Sequence, residues 1–225
     1  MSNANGTSRP HKVLLVDDHP LVRRGLAELI ALQPDLIVSA QSEDTAGALA
    51  AIDNDPPDIA VTDLSLQEGS GIDLIREMKS RLPRLAVLVL SMHEESLYAE
   101  RALRAGASGY IMKHEATEKV LGAIRQVLAG EVYLAPKLAS TLLSRFVSTH
   151  VAPGKSPLDA LSDRELEIFT LIGQGLPTRA IAEKLNLGGK TVDTHREHIK
   201  QKLGFATANE LLRYAIQHSL GNGHS

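Results

Sequence analysis

Through the first 130 residues, short apolar runs alternate with longer stretches of helical period. The runs are Val13–Val16, Leu36–Ala40, Asp58–Leu64, Leu85–Ser91 and Gly109–Met112, and each reads as a strand. Between them, LVRRGLAELIALQ puts Leu21, Val22, Leu26, Leu29 and Ile30 on one helical face, and ESLYAERALRAG closes at Gly106. Near-continuous apolar strands alternating with amphipathic helices predict a parallel sheet covered on both faces. The expected fold is therefore a doubly wound, flavodoxin-like α/β domain with a five-stranded parallel sheet in the order 2-1-3-4-5.

The texture changes after Gly130. PKLASTLLSRF has the period of a helix through Leu138, Leu142, Leu143 and Phe146, and VSTHVAPGKSP reads as a linker rich in small residues and proline. Beyond Leu158 the pattern is helical throughout. Ser162 and Glu165 form a capping box before the first helix, and Gly175 ends it. TRAIAEKLN makes a short second helix, KTVDTHREHIKQKL a third stopped by Gly204, and Thr207 with Glu210 caps a fourth. Two short helices joined by a glycine-containing turn match a helix-turn-helix. The expected organisation is a disordered tail at 1–10, an α/β domain at 11–130, a linker with a helix at 131–157, an all-α domain at 158–220 and a tail at 221–225.

Composition narrows the function classes. The chain has 225 residues, no cysteine and no tryptophan, and 43% of its residues are hydrophobic. It shows no apolar run of membrane-spanning length and no secretory leader, so a cytoplasmic protein with no membrane partner is expected. Aromatic content of 3% disfavours base stacking on aromatic platforms. The net charge of −3 is unevenly spread: 11–130 carries 12 Lys and Arg against 18 Asp and Glu, while 157–225 carries 8 of each.

The acidic half concentrates its charge at strand ends. Asp17 and Asp18 close the first strand and Asp63 the third, and the crevice of such a sheet lies where strand order reverses, between those two strands. Two like charges ~4 Å apart repel by about 4 kcal/mol at an effective dielectric near 20, which asks for a cationic partner. Oxygen-only donors favour a hard cation, magnesium, and magnesium suggests phosphoryl chemistry. Ser91 closes strand four with a hydroxyl and Lys113 follows strand five with an ammonium. A carboxylate nucleophile, a metal, a hydroxyl and a lysine in one pocket suit phosphoryl transfer to an aspartate, for which Asp63 is the candidate. Each residue alone has a duller reading, as a turn residue, a loop hydroxyl or a solvated lysine; their joint occurrence at four strand ends shifts the balance. His19 reads as a polar residue at a helix entrance, before Pro20 at the first helical position.

This set, with Tyr110 three residues before the lysine, resembles the receiver domain of two-component response regulators over His11 to Gly130. The resemblance implies a phosphoacceptor at Asp63, magnesium held by Asp17, Asp18, Asp63 and the backbone carbonyl of Ser65, and a sensor histidine kinase as donor. It also implies that Ser91 and Tyr110 act as switch residues, the tyrosine moving inward when the phosphoryl group arrives. Gln67 stands where the family usually has proline, and Ser91 where threonine is commoner.

In PTRAIAEKLNLGGKTVDTHREHIKQKL, Arg179, Lys184, Lys190, Arg196, Lys200 and Lys202 outnumber Glu183, Asp193 and Glu197. Such cations supply phosphate contacts, and polar side chains early in a recognition helix, here Lys190, Thr191, Asp193, Thr194 and Glu197, reach base edges. A merely solvated helix face is the competing reading. The segment Leu161 to Ile216 resembles the LuxR-type output domain of the NarL/FixJ class, which implies a four-helix unit that binds double-stranded DNA and forms a homodimer when phosphorylated. Pro177, Ala180 and the pair Gly188-Gly189 depart from that family's pattern. The expectation is a phosphorylation-controlled transcription regulator and not an enzyme. One alternative, an aspartyl-phosphate phosphatase, would want a second carboxylate two residues past Asp63, where the chain has Ser65. The other is a switch for a protein partner whose helices only dimerise.

Overall fold

The computed structural model describes residues 9–66, 70–92, 96–148, 157–185 and 187–222. It divides into two compact units, Met1–Val147 and Ser148–Ser225. Gln67 and most of both expected tails lie outside the described residues, although the last helix runs on to Asn222.

The first unit alternates β1 (His11–Val16), α1 (Pro20–Ala31), β2 (Leu36–Ser42), α2 (Thr45–Asn54), β3 (Ile59–Asp63), α3 (Gly71–Arg81), β4 (Ala86–Ser91), α4 (Ser96–Ala105), β5 (Gly109–Met112), α5 (Ala116–Leu128), β6 (Tyr133–Leu134) and α6 (Pro136–Ser148). The strands form one parallel sheet in the order β2-β1-β3-β4-β5-β6. The sheet thus has six strands where five were expected. The extra one, β6, falls in the stretch read as linker: Tyr133 pairs with Gly109 and Leu134 with Tyr110. Two half-buried residues leave no periodic trace, and backbone pairing alone makes them a strand.

Central strands bury both faces. Every residue of β3 is buried, as are Val13 to Val16 of β1. One face, with Val13, Leu15, Ile59, Val61, Leu88, Leu90 and Ile111, packs on Leu26 and Ile30 of α1 and on Val120, Ala123, Ile124 and Val127 of α5. Each fully buried aliphatic side chain is worth about 1.5–3 kcal/mol, which is why these runs fix the strand positions while their polar ends stay available for chemistry. Of the predicted α1 face, Leu26 and Ile30 are buried and Val22 and Leu29 pack against the core, but Leu21 is 83% exposed, because it lies in the first turn on the side away from the sheet.

Glycine 71 opens α3 at a place where a side chain has no room. A Cβ there would lie 2.4 Å from the Leu64 Cα and 2.6 Å from the Asp63 carbonyl oxygen. The start of α3 therefore presses directly on the chain leaving β3, and Ser70 caps the helix by accepting a hydrogen bond from the Asp73 amide.

The second unit contains α7 (Asp163–Gly173), α8 (Thr178–Lys184), α9 (Gly189–Leu203) and α10 (Ala208–Asn222). The Ser162–Glu165 capping box is present in full at α7. Leu166, Ile168, Phe169, Ile172, Ile181, Val192, Ile199, Leu211 and Ala215 are among its buried apolar residues. Tyr214 stacks at a tilt on both Phe169 and Phe205. α9 starts from Gly188 without a side-chain cap and stops at Gly204, whose φ of 73° is the left-handed value that favours glycine.

Candidate functional site

The carboxyl ends of β1, β3 and β5 bring the acids together. Asp17 follows β1, its amide donating to the Ser42 carbonyl, and Asp63 is the last residue of β3, where it is 3% exposed. The Lys113 ammonium, just past β5, lies 2.6 Å from Asp63 Oδ2 and 2.7 Å from Asp17 Oδ2, with its side chain 8% exposed. Asp18 sits beside them, and ligand atoms of Asp17, Asp18, His19 and Asp63 all fall within 4.8 Å of one another.

Electrostatics explain the lysine. Burial pushes the Asp63 carboxyl up from its ordinary value, while Lys113 and the Ser65 backbone pull it down without cancelling the rise. Burial also works against the Lys113 charge, but Asp63 and Asp17 outweigh it and hold the ammonium above its ordinary value. Three carboxylates against one ammonium leave the pocket acidic. His19 adds a further contact: its amide donates to Asp17 Oδ1 at 2.8 Å, and its Nδ1 is 2.5 Å from Asp18 Oδ1 and 3.2 Å from Asp17 Oδ1. The Arg23 guanidinium donates to the Asp17 carbonyl and pairs with Glu43. A donor set of clustered carboxylates with surplus negative charge fits a hard divalent cation such as magnesium.

The other expected receiver residues are placed as follows. Ser65 lies two residues past Asp63, its backbone against that carboxyl. Ser91 ends β4, fully buried, one register step beyond the Asp63–Leu90 pair. Tyr110 on β5 is 1% exposed. The expectation that this ring starts outside and moves in meets a different starting point here, because it is already packed in the interior.

The helical unit treats its charges differently. Thr178, first residue of α8, joins two residues of α9: its hydroxyl lies 3.3 Å from Asp193 Oδ1 and accepts from Arg196 Nη1 at 3.2 Å. Lys202 donates to Glu165 Oε2 at 2.6 Å. Lys200 pairs with Glu197 at 3.0 Å and Arg179 with Glu183 at 2.9 Å. Thr194 donates back to the Lys190 carbonyl. Thr191 is exposed, and Lys190, also exposed, has no ion-pair partner among the described residues. The predicted set thus shares one helix and the start of its neighbour, but Asp193, Arg196 and Lys202 are engaged within the fold.

The two halves also match known families separately. Residues 13–125 match the response regulator receiver domain, and residues 159–215 match the bacterial regulatory proteins of the luxR family. The chain is a two-component response regulator of the NarL/LuxR class. Oxygen regulatory protein NreC of Staphylococcus aureus is 38% identical to this regulator over 213 residues, spanning 93% of this chain and 98% of that one. A LuxR-family two-component response regulator from Aurantimonas is 34% identical with a TM-score of 0.58, covering 62% of the regulator and 99% of that chain. RcsB of Salmonella enterica, solved on the promoter P1flhDC in the presence of phosphomimetic BeF3-, is 26% identical with a TM-score of 0.58, over 92% of the regulator and 98% of that chain. The regulator is accordingly a transcription regulator that joins a receiver to a LuxR-type DNA-binding domain, and no helix among its described residues is long and apolar enough to cross a membrane.

Sequence reasoning passed over two residues that shape these sites and read a third, His19, only as a polar residue at a helix entrance. Gly71 holds α3 against the Asp63 strand end, and its signal was a glycine preceded by a serine cap. Thr178 ties α8 to α9, and nothing local announces a contact 18 residues away. His19 touches Asp17 and Asp18, a contact that its adjacency to Asp18 made readable.

Proposed function

We propose that Asp63 is the phosphoacceptor of this regulator, that a sensor histidine kinase supplies the phosphoryl group, and that the modified receiver controls a DNA-binding homodimer in the cytoplasm. The observation carrying this reading is the Asp63–Lys113 pair inside a cluster of three carboxylates. In the transfer, an Asp63 oxygen attacks phosphorus as the P–N bond to the donor histidine breaks, so one O–P bond replaces one P–N bond. Magnesium, held by Asp17, Asp18, Asp63 and the Ser65 carbonyl, would neutralise charge on the phosphoryl oxygens. Lys113 lies within hydrogen-bond distance of the acceptor and can follow the developing charge, a preorganised arrangement that needs little movement. The Ser91 hydroxyl, at the end of the adjacent strand, is the donor suited to a phosphoryl oxygen.

The phosphoryl group adds roughly 1.5–2 negative charges. Ser91 and Lys113 then favour one arrangement of the β4 and β5 ends, with the buried Tyr110 ring packed in it. The receiver turns over no external substrate in this scheme: its chemistry modifies itself. In the output domain, Lys190, Thr191 and Thr194 have the exposure that base or phosphate contact requires. Arg179, Lys200 and Glu197 are next along the same surface, while Asp193, Arg196 and Lys202 act on DNA through the fold or by exchanging partners. A two-fold dimer would read half-sites about one DNA turn apart.

The test is labelling by a small phosphodonor with magnesium. Wild type takes up about one phosphoryl group per chain, and Asp63→Asn takes up none. Label retained on another residue of the variant would refute the acceptor assignment.

A further inference from the structure

A second cluster of metal-binding side chains lies in the output domain. Glu165 of α7 and His195 and His198 of α9 each offer a ligand atom, and these atoms fall within 4.8 Å of one another. The two histidines are three residues apart and so rise from the same side of α9. Glu165 divides its oxygens: Oε2 accepts from the Ser162 amide and from Lys202, while Oε1 faces His198 Nδ1 at 3.9 Å. That spacing is too long for a hydrogen bond and about 0.5 Å wider than two ligands of one tetrahedral zinc stand, a gap that a small side-chain rotation closes. His195 supplies an independent sign of a missing partner, because its Nδ1 is buried with no hydrogen bond among the described residues. An orphaned buried ring nitrogen is unfavourable unless something binds there.

We propose that Glu165, His195 and His198 form a zinc site that bridges α7 to the recognition helix α9. One carboxylate oxygen and two imidazole nitrogens are three ligands of the kind zinc takes in tetrahedral sites, with water as the fourth. The imidazole of His198 is about half exposed, which leaves an entry path. Nearby cations do not close the site: Arg164 is held by Glu167 at 2.7 Å, and Lys202 sits on the opposite oxygen of Glu165.

Bridging matters because α9 carries the exposed Lys190 and Thr191 while α7 anchors the unit's core. The ion would hold these two helices together from the side remote from Thr178, which ties α9 to α8.

Cobalt(II) serves as the probe on the full-length protein, since its visible absorption separates four-coordinate nitrogen and oxygen sites from six-coordinate oxygen sites such as the receiver pocket. The expected result is one equivalent of four-coordinate signal, displaced by zinc and unaffected by Asp18→Asn in the receiver. His198→Ala should weaken zinc binding by about tenfold or more, with unchanged far-ultraviolet circular dichroism showing that the fold survives. His198→Cys, which restores a ligand, should recover the four-coordinate signal. A spectrum that is six-coordinate throughout, or four-coordinate signal that persists in His198→Ala, overturns the proposal.

Discussion

The receiver and the output domain deal with charge in opposite ways. At the strand ends Asp17, Asp18 and Asp63 are crowded together, Lys113 bridging two of them and leaving an excess of negative charge. Along α9 the cations are largely engaged: Lys200 pairs with Glu197, Lys202 with the buried Glu165 of α7, and Arg196 donates to the Thr178 hydroxyl. One buried carboxylate from each side responds accordingly, Asp63 pushed up by burial and Glu165 drawn below its ordinary value. For Glu165, burial acts upward too, but the Lys202 ammonium and the Ser162 cap outweigh it. Concentrated, unmatched charge makes a pocket that responds to an incoming ion or phosphoryl group. Matched charge makes a rigid support for the few side chains left free.

Removing the receiver's one bridging cation tests the contrast most severely. Lys113→Ala leaves Asp17 and Asp63 buried without the ammonium between them, and should lower stability in EDTA by roughly 3 kcal/mol in urea unfolding, with millimolar magnesium recovering part of the loss. Unchanged stability in EDTA would mean the acids do not strain the metal-free fold. On the other side, Glu165→Gln keeps an oxygen that can accept from the Ser162 amide but removes the charge facing Lys202, and about 1 kcal/mol of output-domain stability should go with it. Its pH dependence has a definite sign. The folded carboxyl titrates below the ordinary value of 4.5, so its stabilisation is complete above that pH and is lost as pH falls through the folded value. In EDTA, wild type should therefore weaken on acidification below about pH 4.5, and Glu165→Gln should show a flatter profile in thermal unfolding. The smallest effect separates free from engaged lysines. Lys190→Ala should weaken duplex binding similarly for all sequences and reduce the salt slope by about one. Lys202→Ala should change that slope less while lowering stability; equal slopes for the two variants would erase the distinction.

How far the sequence carried depended on burial. β3, β4 and β5 were legible because residues such as Val61, Val89 and Ile111 are buried between two layers of helix and read as unbroken apolar runs. β2 ran on past Ala40 through Gln41 and Ser42, since an edge strand needs only one covered side and can end in polar residues. β6 left no such trace. The acid pocket was readable because its members stand at strand ends, where topology supplies their convergence. The pairing of α9 was not, because composition counts the charges of Lys202 and Arg196 but cannot show that their partners lie 37 and 18 residues away. Tyr110 could be placed on β5 from the sequence, yet whether its ring lies in or out is decided by the packing around that strand.

The short strand β6 also bears on how the receiver can be excised. A fragment ending at Gly130 would strip the outer neighbour from β5 and leave the backbone groups of Gly109 and Tyr110 open, an edge onto which another chain can add. Isolating the receiver as a well-behaved monomer thus calls for a cut after α6, near Ser148, and its solution behaviour depends on a two-residue pairing whose half-buried Tyr133 packs at the margin of the core.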